Sequence, residues 1–290
     1  MSTQSAASGS AGRPLGSRLR PSVGFLSSSL KLRIGLGIVA LYVLVAIFAG
    51  LLAPYGPNSE DLFHPLADPS AQHLLGTDGV GRDVLSRLIY ASRIDLSVAV
   101  AAVAIPAVIG TAIGLAAGFY GRLLGGLAMR LADLVLAFPV YVLVLAVVAV
   151  LGPGAKSIII ASSALGWVIY ARLVRGEVLR VKSLDYVLAA RAGGLPRRRV
   201  LLGHVLPNVI AQPVIYLTSD LVILILALSA LTFLGVGIPA PTAEWGAMIS
   251  DAAPFLRVRP WLIIPPGLAV VVLGVGLSLI ADALADRLKG

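Results

Sequence analysis

Long apolar runs separated by short polar connections dominate the chain. A helix rises about 1.5 Å per residue, so roughly 20 apolar residues cross the hydrocarbon core of a bilayer. Six runs approach or exceed that length, at about residues 34–53, 96–119, 127–151, 157–173, 209–236 and 261–284. The pattern predicts an all-α integral membrane protein with six transmembrane helices, its transmembrane domain spanning residues 34–290. Residues 1–33 are rich in Ser, Ala, Gly and Arg with little to bury, and are expected to form a disordered cytoplasmic tail. The first run is longer than the roughly 7–15 residues of a signal-peptide core, and no small-residue cleavage site follows, so it reads as an uncleaved span that Pro54 ends.

The polar connections differ from one another. Residues 55–95 are acidic and turn-rich, with Gly76, Gly79 and Gly81 around Asp78. Helical spacing resumes at Asp83, where Val84, Leu85, Leu88 and Ile89 share one face, and predicts an amphipathic helix lying at the membrane surface. A second polar connection, residues 237–259, contains PAPTAEWGAM. Between the fourth and fifth runs lies the densest basic cluster, within a loop at residues 177–208. Helix formers fill Asp185 to Ala192, Gly193 and Gly194 stop them, and Pro196 suits the first turn of a second helix. This predicts a short helix-turn-helix outside the bilayer, more structure than a simple connection between spans requires. In the second span Gly110, Gly114 and Gly118 recur every fourth residue, so a neighbouring helix, of this chain or a partner, can approach closely.

Of 290 residues 58% are hydrophobic and 13% charged, against about a quarter charged in soluble domains. The formal charge of +9 therefore reads as topology rather than nucleic-acid binding, because no basic face with interleaved aromatics accompanies it. Five Lys and Arg in the tail, two around the Gly121 turn, eight around the 177–208 loop and two at the C-terminus fall on one side of a six-span chain, against six on the other. The positive-inside rule then makes both termini and the loop cytoplasmic and puts the two turn-rich connections outside.

Catalytic and metal chemistry have no foothold. There is no Cys, and His64, His73 and His204 are scattered. The nearest approach to a phosphate loop, GPGAKS at Gly152 to Ser157, has Ala155 where Gly is required, and neither a GxSxG elbow nor an HExxH helix occurs. The paired glycines Gly35 with Gly37 and Gly274 with Gly276 fall inside apolar runs, where they serve helix packing. A carboxylate stranded at mid-membrane costs on the order of 3 kcal/mol. Asp133 stands three residues after Arg130, the spacing of a helical ion pair, whereas Asp220 has no partner in sequence and is either a polar contact to another helix or part of a transport path.

The stretch YVLAARAGGLPRRRVLLGHVLPN resembles the coupling loop of the permease subunits of bacterial ABC importers, with Ala189, Ala190, Gly194, Leu206 and Pro207 on the family pattern. Leu188 stands where the family has a glutamate. With HLLGTDGVGRDVLSRL, LTFLGVGIPAPTAEWGAMI and PWLIIPPGLAV in that order, the chain after the tail resembles the C-type permease of the dipeptide, oligopeptide and nickel branch, a type I importer fold. Leu228, Ser278, Ala281 and Asp282 depart from the pattern of that branch.

The resemblance implies a non-catalytic subunit that forms half of a translocation pore, for di- or oligopeptides among other cargoes. It implies as partners a homologous B-type permease, two ATPase subunits that bring ATP and Mg, an extracytoplasmic solute-binding protein and membrane lipid. The loop would dock on an ATPase subunit, with Gly194 letting its two helices turn or approach closely and Arg197, Arg198 and Arg199 serving either docking or topology. Gly76, Thr77, Asp78, Gly81, Arg82 and Asp83, with Glu244, Trp245 and Gly246, would brace an external gate or face the binding protein, or else fold their own loops. The alternative from another class is a secondary transporter driven by an ion gradient, for which Asp220 is the one good carboxylate.

Overall fold

The computed structural model describes residues 30–289, so the 1–33 tail lies almost wholly outside the described residues. Twelve α-helices follow in order: α1 (Leu30–Ile47), α2 (Ala49–Leu52), α3 (Val84–Tyr120), α4 (Arg122–Leu136), α5 (Val140–Leu151), α6 (Ala155–Val181), α7 (Asp185–Ala192), α8 (Arg197–Val200), α9 (Leu206–Val209), α10 (Ala211–Phe233), α11 (Trp245–Ala252) and α12 (Ile264–Lys289). Five of the long ones, α1, α3, α6, α10 and α12, are apolar enough to cross a membrane, and a sixth crossing exists if α4 and α5 are one span.

Two features differ from the pattern-based expectation. The helix starting after Asp83 does not lie apart at the surface: it continues without interruption into the following span as the 37-residue α3, about 55 Å long. Its first half is held by burial, since Val84, Arg87, Ala91 and Asp95 are all inside the protein. The 127–151 run is not straight either. Pro139 lacks the N–H to continue the ladder, and the chain bends by 86° between α4 and α5.

The bundle is built on α3 and α6. Cβ atoms placed on Gly110 and Gly114 would stand 2.4 Å from the Trp167 carbonyl oxygen and 2.6 Å from that of Ala171, and one on Gly118 would stand 2.7 Å from Val178 Cβ. The small-residue face thus admits α6 to backbone contact, and the close neighbour comes from within the chain. The pair α1 and α12 uses the same device, because a Cβ on Gly35 would meet the Gly276 carbonyl oxygen at 2.7 Å. Tyr42 donates from α1 to the Ala269 carbonyl at 2.9 Å, and Arg93 of α3 donates to the Ala46 and Ile47 carbonyls that end α1. The connections 55–83 and 237–262 fold together over the start of α3 as a cap. The 182–209 segment packs at the opposite end of α3 as a handle.

Candidate functional site

The handle takes the predicted form. Asp185 opens α7 where a negative charge meets the helix dipole, and Arg191 closes it. Gly194, at φ +78°, completes the turn: Leu195 N–H donates to Ala190 O and Gly194 N–H to Arg191 O, the bonds of a Schellman motif. A side chain on Gly194 would meet nothing within 4 Å, so the glycine is needed for the left-handed turn and not for close approach of the two helices. Pro196 precedes α8, which passes through one π-helical turn, Leu201–Val205, into α9 and α10. That π turn has no signature in the sequence.

The inner face of the handle is apolar. Val187, Val200, Leu201, Val205 and Val209 are buried against Phe119 of α3 and Val174, Val178 and Val181 of α6. Polar ties fix the angle: Lys182 Nζ donates to the Gly118 carbonyl at 2.8 Å, and the Arg191 guanidinium lies 5.0 Å over the Phe119 ring. Ala190 and Leu206 are half-buried, while Ala189, Gly194, Pro207 and the run Arg197, Arg198, Arg199 are exposed. Leu188 points outward with them, 47% exposed. The result is a firmly seated element with a basic, partly apolar outer surface.

In the cap most of the singled-out residues face inward. Thr77, with no exposed surface, accepts from Ala67 N–H and donates to the His64 carbonyl. Asp78 accepts from the backbone N–H of Val80 and Arg82 and from Arg82 Nε at 2.7 Å. Gly76 and Gly81 both take positive φ, and a Cβ on Gly81 would overlap the Asp61 carbonyl oxygen at 1.9 Å. Asp83 caps α3 by accepting from Ser86 N–H at 2.7 Å, and its other oxygen is 2.9 Å from His73 Nδ1. Asp83→Ala is expected to cost about 1–2 kcal/mol of stability, read as a lower thermal midpoint, whereas Asp83→Asn keeps most of the cap.

Glu244, fully buried, caps α11 through the N–H groups of Gly246 and Ala247. Trp245 ties α11 to α3, its backbone N–H donating to Asp95 Oδ2 and its indole to the Leu88 carbonyl. A Cβ on Gly246 would meet the Ser229 carbonyl of α10 at 2.5 Å. Arg82 reaches Asp251 at 3.1 Å, and Arg87, 2% exposed, donates to the carbonyls of Pro57 and Pro241. Arg87, Asp95 and Asp251 were not singled out by motif, although Asp83, Arg87 and Asp95 share one helical face of α3, a readable signal. On the outer side of the cap, Tyr55, Glu60, Asp61, Asp68, His64 and His73 line an open hollow of about 590 Å³. The His64 ring beside Asp61 holds that carboxyl below the usual carboxylate range.

Both intramembrane carboxylates have partners from other helices. Asp133 pairs with Arg172 of α6 and not with Arg130, because α4 leans its 133 face on α6. Asp220 accepts from the Tyr170 hydroxyl of α6 at 2.8 Å. Leu228 is buried with Val98, Ile158 and Ile238, so an aliphatic side chain suits that position here.

Comparison with known proteins agrees with this arrangement. Residues 110–290 match the family described as binding-protein-dependent transport system inner membrane component, and residues 33–69 match the N-terminal TM domain of oligopeptide transport permease C. The nickel transport system permease protein NikC of Escherichia coli K12 is 39% identical over 264 residues, 91% of this chain and 95% of the relative. The dipeptide transport system permease protein DppC of Alkalihalophilus pseudofirmus is 38% identical over 255 residues, 88% and 84% of the two chains. The metal-staphylopine import system permease protein CntC of Staphylococcus aureus NCTC 8325 is 38% identical over 251 residues, 87% of each. The ion-gradient alternative is thereby set aside. The chain belongs to the binding-protein-dependent inner membrane component family, as a non-catalytic permease subunit of an ABC importer in the peptide, nickel and metallophore branch.

Proposed function

We propose that the chain forms half of a translocation pore whose alternating access is driven through the handle by ATP hydrolysis in separate subunits. The observation that carries this is the handle itself: a packed, capped helix-turn-helix seated on the ends of α3 and α6 and exposing Arg197, Arg198 and Arg199. A loosely tethered loop would yield when pulled, whereas this one moves α3 and α6 with it. The family binds no cofactor itself, so ATP and Mg belong to two ATPase partners. A homologous B-type permease completes the pore. On this reading both termini and the handle are cytoplasmic, and the cap meets the solute-binding protein on the outside of a bacterial plasma membrane. Since Thr77, Asp83, Glu244 and Trp245 are buried, they serve that encounter by holding the shape of the cap.

Di- or oligopeptides are the cargo we favour, from the dipeptide relative and the match to the N-terminal domain of oligopeptide transport permease C. The nickel and metal-staphylopine relatives support a metal chelate as the second reading. The ligand that co-purifies with the cognate binding protein separates the two. For the handle, Gly194→Val in the assembled complex is the test. A side chain there has room but strains the left-handed turn by about 1–2 kcal/mol, so the fold survives and the second arm is re-aimed. Uptake is expected to fall at least tenfold while ATP turnover persists without coupling. Uptake and coupling at wild-type levels would falsify the handle assignment.

A further inference from the structure

Asp220 lies near the middle of α10, and its one hydrogen-bond partner among the described residues is the Tyr170 hydroxyl; no Lys, Arg or His stands with it. Tyr170 itself has no exposed surface and is held among Val103, Ala107, Leu217, Leu221 and Leu224. The position of the carboxylate is therefore set by the core. Its charge is not required by that role. An asparagine carbonyl would accept the same Tyr170 proton without the desolvation cost that a carboxylate carries in the membrane.

The placement says where the charge is used. Asp220 is half-buried, at the border between the packed face of α10, with Ile225, Leu228 and Leu231, and an exposed stripe of Ile223, Leu226 and Phe233. Ile223, three residues on, shares its face. Ionisable groups in spans turn to the bundle interior or a water-filled path and not to lipid. Tyr216, one turn before Asp220, packs its ring edge-to-face on Tyr170 with centroids 5.0 Å apart, which sets an aromatic wall beside the carboxylate. A carboxylate with an aromatic neighbour is the pair that recognises ammonium groups and other diffuse cations.

We infer that Asp220, positioned by Tyr170 and flanked by Tyr216, is a cation-recognition point on the translocation path, selecting cargo that carries an ammonium group or a positively charged metal chelate. This rests on the half-pore reading. Because the chain has no cysteine, Ile223→Cys gives it a single thiol one turn from the carboxylate. The assembled transporter, with partner cysteines replaced, is reacted with two membrane-impermeant methanethiosulfonates, one bearing trimethylammonium and one sulfonate, and each rate is normalised to a free thiol. The cationic reagent is expected to be favoured, and Asp220→Asn is expected to reduce that preference about tenfold. Tyr170→Phe, which removes the hydrogen bond and leaves the charge, should keep most of it.

No reaction with either reagent in any nucleotide state places the stripe against lipid and overturns the inference. So does a preference unchanged by Asp220→Asn, which would mean that a partner's cation already neutralises the site, or one lost equally in Tyr170→Phe, which would mean packing alone. Binding-protein-stimulated ATP hydrolysis in the same preparation reports on the half-pore reading separately: its absence sinks that reading whatever the reagents show.

Discussion

Gly114→Ala is expected to lower the stability of the purified chain by about 1–3 kcal/mol, and the Gly110→Ala, Gly114→Ala double variant to fail to accumulate in the membrane. A methyl group on Gly114 would lie 2.6 Å from the Ala171 carbonyl oxygen and 2.8 Å from Val174 Cβ. Both atoms are fixed to the α6 backbone, so no side-chain rotation relieves the clash and the helices must separate. Separation forfeits dispersion along the longest helix contact in the molecule, in a solvent where no hydrophobic force restores it. Gly176→Ala is the control. It lies on the same α6, exposed, with nothing within 4 Å of its Cβ position, and is expected to be neutral or to stabilise by up to about 1 kcal/mol through helix propensity. Thermal unfolding in detergent measures both. Equal losses in Gly114→Ala and Gly176→Ala would show that α3 and α6 do not meet as described.

The same contact shows what the sequence carries. Glycines every fourth residue announce a close approach, and the handle announces itself through helix formers, a glycine pair and a proline, because these signals are local. What was not legible depends on a partner distant in sequence. Asp133 has Arg130 at helical spacing, yet its ion pair is with Arg172, 39 residues away, and Tyr170 gives no hint of Asp220, 50 residues on. The surface helix was misplaced for a related reason. Its polar residues suggested water, but Arg87 and Asp95 are buried among cap segments that bond them, Arg87 to the Pro241 carbonyl and Asp95 Oδ2 to the Trp245 N–H, and that burial lets the helix run on into the span. In the candidate site, the handle's outer face was readable as charge, whereas the inward aim of Thr77, Glu244 and Trp245 was set by folding of the cap and read equally well as exposed loop chemistry.

Arg87→Leu is expected to have the second large effect, a loss of about 3–5 kcal/mol concentrated in the cap. The guanidinium is 2% exposed and donates to the carbonyls of Pro57 at 3.1 Å and Pro241 at 3.3 Å, one from each polar connection. It also stands 3.6 Å from Asp78 and 3.9 Å from Asp251. Those carboxylates keep Arg82, at 2.7 and 3.1 Å, so removing Arg87 does not strand them entirely. The carbonyls lose a charged donor in a site closed to water, and the two connections lose a buried side chain that donates to the backbone of both. Arg87→Lys separates charge from geometry: both carbonyls accept from Nη1 while Nε and Nη2 face Asp78 and Asp251, and a single ammonium cannot serve the carbonyls and both carboxylates together, so it should recover less than half of the loss. Proteolysis of the assembled protein locates the damage: cleavage within residues 55–83 and 237–262 should rise while the α3 and α6 spans stay protected. If Arg87→Lys behaves as wild type, the charge alone holds the cap; if Arg87→Leu does, the cap is held by Trp245 and the capped starts of α3 and α11 without it.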